Sequence, residues 1–314
     1  MKVDIWVLIS TTLTMLILIC VGYFSAKKGL LDEKFSKKLS SLIVYICQPA
    51  LLVGSLMNVG YSKEMLVKGG MIVLLSAGVH LMNVLVALGF SAPIKDINER
   101  TVISYSVTFS NCAFFGFPVL KSVFGDEGVF WGSFYCIVFN ILVWTWGMFT
   151  LSRANKEIKM NPRKMFVNFG TVPCAIGIVL YITQMSEKLP KPITLSLDYL
   201  SGLCTPISML IIGALLARLP LKKVFFSPKS YYLCLVKLVI LPAIVAIVLA
   251  LAGLSKDLVC FGSLMAGFPV AATSSAFSEK YSIAPEFSSV CVGLSTILSV
   301  ATVPIIVTAI DKLV

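Results

Sequence analysis

The chain has 314 residues, 58% of them hydrophobic and only 13% charged. Soluble domains carry about 25% charged residues, and a water-facing exterior cannot be made from so little polar material, so the composition excludes an ordinary soluble protein and implies one domain embedded in a lipid bilayer. The formal net charge of +11 does not indicate a nucleic-acid partner, because the Lys and Arg residues lie almost entirely between apolar runs, where they act as topology signals with headgroup binding a minor addition.

A hydrocarbon core about 30 Å thick is crossed by roughly 20 helical residues. Ten runs meet that length. The first, 4–25, is too long for a signal-peptide core and lacks a following A-x-A site, so it reads as a span. Run 38–57 contains Cys47-Gln48-Pro49, and run 66–90 contains His80 and Asn83. Run 101–125 carries Ser106, Thr108, Ser110 and Asn111, then Gly116-Phe117-Pro118; run 127–151 contains Asn140. The longest polar stretch, Arg153 to Lys164, follows. Runs 166–186, 193–217 (with Cys204-Thr205-Pro206), 230–253 (with Lys237), 257–280 (with Gly267-Phe268-Pro269, Thr273, Ser274 and Ser275) and 286–310 complete the series. These runs are continuous, which argues against the alternating segments of about ten residues that a barrel shows. The nine cysteines form no CxxC pair and read as small hydrophobes, with neither disulfides nor a metal site expected. Trp6, Trp131, Trp144 and Trp146 fall near run ends, as an interfacial belt does.

Loops one, three, five, seven and nine hold seventeen of the Lys and Arg residues, and the opposite side holds seven. The positive-inside rule puts the odd loops in the cytoplasm and both termini outside, in a multi-pass plasma-membrane protein. The polar stretch divides the runs into five and five. Span two matches span seven at Cys-x-Pro, and span four matches span nine at Gly-Phe-Pro, with offsets of 157 and 151 residues between the prolines. The pattern implies a duplication: a first repeat at 1–152, a cytoplasmic linker at 153–165 and a second repeat at 166–314. An odd number of spans per repeat makes the copies inverted, an architecture of secondary transporters. The expected fold is an all-α membrane protein of ten transmembrane helices in two inverted five-helix repeats, with helices four and nine broken and crossed.

The chemistry is expected at those breaks. Proline removes a backbone donor and displaces the carbonyl four residues back, so Pro118 frees Phe114 and Pro269 frees Met265. Gly116 and Gly267 loosen the chain further. In hydrocarbon such groups are tolerated only inside protein or beside a cavity. The half-helices beyond the prolines would offer free N–H groups to an anion, with Asn111, Thr273, Ser274 and Ser275 nearby. A plain kink is the alternative for each proline. Asn111 and Asn140 read as ligand contacts or as interhelical hydrogen bonds. His80 reads as a hydrogen-bonded interior histidine or a proton relay. Lys237 either snorkels to the interface or faces the cavity as a cation that attracts an anion; Lys121 reads as snorkelling. No Asp or Glu lies deep in a span, which favours an anionic or neutral solute. No phosphate-binding loop and no catalytic constellation are present, so neither an enzyme nor a cofactor is expected; the coupling ion, H+ or Na+, stays open, as does a homodimer.

Six segments carry a resemblance: FSNCAFFGFPVLKSVFG (109–125), VFNILVWTWG (138–147), Asn161-Pro162, TPISMLIIGALLA (205–217), VKLVILP (236–242) and GFPVAATSSAFSEKY (267–281). Over nearly its whole length the chain resembles the auxin efflux carrier family. The resemblance implies crossed, broken helices four and nine, as in bile acid/sodium symporters, with helices 1, 2, 6 and 7 as scaffold and helices 3–5 and 8–10 as transport domain. It implies a substrate site lined by Asn111, Pro118 and Pro269, and, by analogy with bacterial relatives, malonate, malate or similar organic acids as substrates. The central loop of about a dozen residues lacks the large regulatory loop of the plant carriers, which looks bacterial and makes auxin an unexpected substrate. The function expected is secondary active transport of a small organic acid anion by elevator-type alternating access. The alternatives are a sodium-coupled carrier of a neutral or sterol-like solute and a non-transporting membrane sensor.

Overall fold

Long apolar stretches punctuated by Pro and Gly dictate helices, since in lipid a helix satisfies its own backbone. The structure is a computed structural model that describes residues 4–159, 161, 163 and 166–313, and its elements there are helical. In chain order they are α1 (Ile5–Lys27), α2 (Glu33–Met57), α3 (Lys63–Ser91), α4 (Ile97–Thr108), α5 (Gly116–Ser152), α6 (Thr171–Ile182), α7 (Lys191–Ala217), the short α8 (Leu221–Phe225), α9 (Pro228–Leu251), α10 (Lys256–Gly267), α11 (Ala272–Lys280) and α12 (Pro285–Leu313). Asp4, Asp32 and Asp96 cap α1, α2 and α4 by accepting first-turn N–H groups, the usual solution for donors that a helix start leaves unpaired.

Among the described residues seven helices are long and apolar enough to cross a bilayer: α1, α2, α3, α5, α7, α9 and α12. Three of the ten sequence runs therefore do not appear as long helices. Runs 101–125 and 257–280 are each interrupted, and run 166–186 yields the shorter apolar α6. Runs 101–125 and 127–151 meet within α5. As one rod its 37 residues would extend about 55 Å, but Gly125 has φ 67° and ψ −152° and divides it; only glycine adopts that conformation readily. Of the 153–165 linker, residues 160, 162, 164 and 165 lie outside the described set, and with them Pro162 of the Asn161-Pro162 pair.

The bundle is apolar on both its inner and outer faces. Leu8, Leu52, Val79, Phe109, Phe261, Phe268 and Val303 are fully buried, while Ile17, Phe24, Leu74, Leu81, Ile247 and Leu251 face outward, as side chains meant for acyl chains do. Trp131 departs from the belt reading. It is buried and packs against Phe124 and Phe261.

α1 packs along α7, and α2 packs on α6 and α7. α3 packs on α4 and α5; α12 packs on α9, α10 and α11. The α1–α7 contact is unusually close because small residues face each other. A Cβ on Gly22 would lie 2.2 Å from the Leu210 carbonyl oxygen, and one on Gly213 would lie 2.0 Å from that of Ile19. Such approach of backbones supplies dispersion contact where lipid removes the hydrophobic drive.

Gly213→Val is expected to destabilise the purified protein by about 1–3 kcal/mol or more, read as a lower melting temperature in detergent. Gly78→Ala, at a site with open space, is expected to leave it unchanged or slightly raised.

Candidate functional site at two interrupted helices

α4 ends at Thr108, and the chain stays non-helical until α5 begins at Gly116; α10 ends at Gly267, and α11 begins at Ala272. The two gaps meet. Ser110 and Val270 form an antiparallel bridge in which the Asn111 N–H donates to the Pro269 carbonyl (2.7 Å) and the Ala271 N–H donates to the Phe109 carbonyl (3.1 Å). Residues far apart in sequence thus supply each other with the partners that each helix lost. The Phe268 ring fills the space beside Gly116, where a Cβ would lie 2.8 Å from it, and meets the Phe115 ring edge-on. Gly267 abuts Ile306 and Pro242 just as closely.

The first break lies earlier than the sequence suggested. Pro118 does not cause the interruption from within a helix; it occupies the first turn of α5, where its missing N–H costs nothing. Pro269 does sit inside its gap. The Phe114 carbonyl expected to be free instead accepts the Thr205 hydroxyl of α7 (3.0 Å). Other freed carbonyls are also met by side chains. Asn83 Nδ2 of α3 donates to the Thr108 carbonyl (3.1 Å), and Ser110 Oγ donates to that of Ala266 (3.2 Å). Ser295 Oγ of α12 accepts the Val270 N–H (3.1 Å).

Of the two places the sequence leaves open to Lys237, the structure shows the interior one. The side chain does not snorkel: it is 0% exposed, and Nζ donates to the Val107 carbonyl (2.9 Å) and to Ser110 Oγ (2.7 Å) beside the bridge. Lys121 stays at the surface, paired with Asp126 at 3.1 Å.

The hydroxyl residues are in place but occupied. Tyr105 donates to Thr273 Oγ1 (3.2 Å), Ser274 Oγ lies 2.9 Å from both Ser106 Oγ and Ser288 Oγ, and Ser275 Oγ lies 2.9 Å from Ser289 Oγ. They knit α11 to α4 and α12. Asn111 differs. It is 4% exposed, and its Nδ2 has no hydrogen-bond partner, an arrangement that native interiors avoid unless a ligand or water completes it. Asn140 sits elsewhere, bonded to the Cys136 carbonyl (2.7 Å) and pressed against Gly170. His80 is buried against the Tyr135 ring, with Nδ1 2.8 Å from the Ser76 carbonyl oxygen.

A cavity of about 330 Å³ reaches Pro118 and Thr205 between α2, α5 and α7, with Ser55, Asn58, Lys121 and Asp126 on its walls. At the other end of α2, Lys37 pairs with Glu33 and with Glu279 at the end of α11, both at 2.7 Å. Thr205, Asn83 and Ser295 emerge as bridge partners. Thr205 stood in the repeated Cys-x-Pro motif and Asn83 beside His80, but nothing in the sequence marked Ser295.

Two interrupted helices bound backbone to backbone inside an apolar bundle are the build of a membrane transporter. Residues 7–307 match the family model described as Membrane transport protein, and the chain belongs to that family, the auxin efflux carriers. It is 24% identical over 300 residues to an uncharacterized transporter of Methanothermobacter thermautotrophicus, covering 94% of this chain and 96% of that one. An uncharacterized transporter of Methanocaldococcus jannaschii is 27% identical over 67% of this chain and 69% of its own. A Rhizobium meliloti protein named "Putative malonate transporter" is 30% identical over 120 residues, 38% of this chain and 37% of its own.

Thr205→Val keeps the side-chain shape but leaves the Phe114 carbonyl unpaired. The expected cost is about 1–3 kcal/mol, visible as a lower melting temperature, with Thr205→Ser close to wild type.

Proposed function

We propose that this protein is a secondary carrier of a small organic acid anion, a mono- or dicarboxylate of the malonate or malate kind, working by elevator-type alternating access. The observation that carries the reading is the unpaired Asn111 amide at the backbone bridge. A buried amide NH2 without a partner, beside hydroxyls that satisfy one another, leaves two vacant donors that suit a carboxylate. The start of α11 adds the positive end of a half-helix dipole. The name of the Rhizobium meliloti relative agrees with this solute class over the segment compared.

On this reading the interrupted pairs α4 with the first part of α5, and α10 with α11, each make one crossing, and α6 makes another. That restores ten crossings in two inverted five-helix repeats. The contacts of α1, α2, α6 and α7 with one another suit a scaffold, and the remaining helices suit a transport domain that carries the bridge. The cavity beside Pro118 is then the solute's approach along the boundary between them. The same reading keeps both termini outside the plasma membrane.

The test is uptake of labelled malonate, malate and monocarboxylates into proteoliposomes. Asn111→Ala is expected to lower flux about tenfold or more, as the loss of a charge-assisted bond to substrate does, while the protein inserts and melts as wild type does. Unchanged kinetics in that variant would overturn the site; absence of flux for every carboxylate with wild-type protein would overturn the solute class.

A further inference from the structure

The end of α4 is a negative site. Its carbonyls beyond Tyr105 have no helical donors, and the half-helix dipole adds partial negative charge there. The Phe109 N–H takes the Tyr105 carbonyl (3.0 Å), Asn83 takes Thr108, and Lys237 takes Val107 together with Ser110 Oγ. Lys237 is wholly buried, and among the described residues no carboxylate pairs with it. Its ammonium is therefore held by neutral oxygens and a helix end alone, as a bare cation would be. It rises from a π-turn, Val236–Ile240, immediately before Leu241-Pro242; such turns cluster at functional sites. In carriers with interrupted helices, unwound carbonyls and the C-terminal ends of half-helices coordinate the coupling cation.

We propose that the Lys237 ammonium is a tethered cation standing where a free alkali-metal ion would otherwise bind, at the end of α4, so that transport has no sodium requirement. This rests on the carrier reading above and adds its cation chemistry. The protein then brings its own positive charge to the bridge, and the anionic solute meets it without first recruiting an ion.

The experiment uses the purified full chain, with two readouts: labelled malonate flux in proteoliposomes and melting temperature in detergent, each in sodium and in choline salts. Wild type is expected to be indifferent to the exchange in both. Lys237→Ala opens the space and removes the charge. Its flux in choline should fall about tenfold or more, and sodium or methylammonium should raise its melting temperature and recover flux severalfold. Lys237→Met fills the same space without charge and should be inactive, with neither cation restoring it. Sodium dependence of the wild type, full flux of Lys237→Ala in choline, or a folded Lys237→Ala indifferent to both cations would each overturn the proposal. Where Lys237→Ala does not fold, Ser110→Ala removes one of the two oxygens; a severalfold loss of flux without sodium dependence is expected, and unchanged flux overturns it. The melting shifts involve no solute, so they decide the cation site even if malonate proves not to be carried.

Discussion

A helix that stops inside hydrocarbon leaves donors and acceptors that no water can reach, each costing several kcal/mol if left alone. Two helix ends buried inside the apolar bundle, at Thr108 and Gly267, raise that problem and determine much of this molecule. They are affordable only together, because Asn111 and Ala271 trade backbone bonds across the gap. The neighbouring helices then complete the set: Thr205 from α7, Asn83 from α3, Ser295 from α12 and Lys237 from α9. The crossing is less a gap in the fold than the point on which its helices converge.

That convergence explains why, of the seven buried side-chain polar atoms without a partner among the described residues, the Asn111 amide nitrogen stands out: it alone belongs to a residue of the two bridged gaps. Where nearly every freed group is answered, an unanswered one is informative. Thr273, Ser274 and Ser275 of α11 were natural candidates for solute contact, yet each is bonded to another hydroxyl, so they hold the interrupted helices in place. Asn111 has the same burial without the partner. The proposed solute site and the proposed role of Lys237 both follow from counting partners rather than from counting polar residues.

Much of this was legible in the sequence, and the failures have physical causes. Length and hydropathy gave the helical runs, and the paired Gly-Phe-Pro motifs marked both interruptions. The position of the first break was misjudged because a proline is read as breaking what precedes it, whereas Pro118 starts a new helix and the extended backbone at Phe109 ends the old one. The sequence leaves Lys237 between interface and interior, because no sequence rule says which way a long side chain turns; here the Val107 carbonyl on α4 and Ser110 Oγ just past its end outweigh the interface. Trp131 was misplaced for the related reason that nearness to a run's end is not nearness to lipid. Ser295, one serine among several in α12, carries no local signal because its partner, Val270, is defined only by the tertiary fold.

The tie between Lys37 and Glu279 has a different character from the crossing. Both side chains are about half exposed, at 57% and 47%, so water and dissolved ions compete for them, and such a contact holds with roughly 0–1 kcal/mol. It fastens α2 to α11 as a latch rather than a weld. Ordinary salt loosens it, and a sliding of one helix past the other would meet almost no electrostatic resistance there.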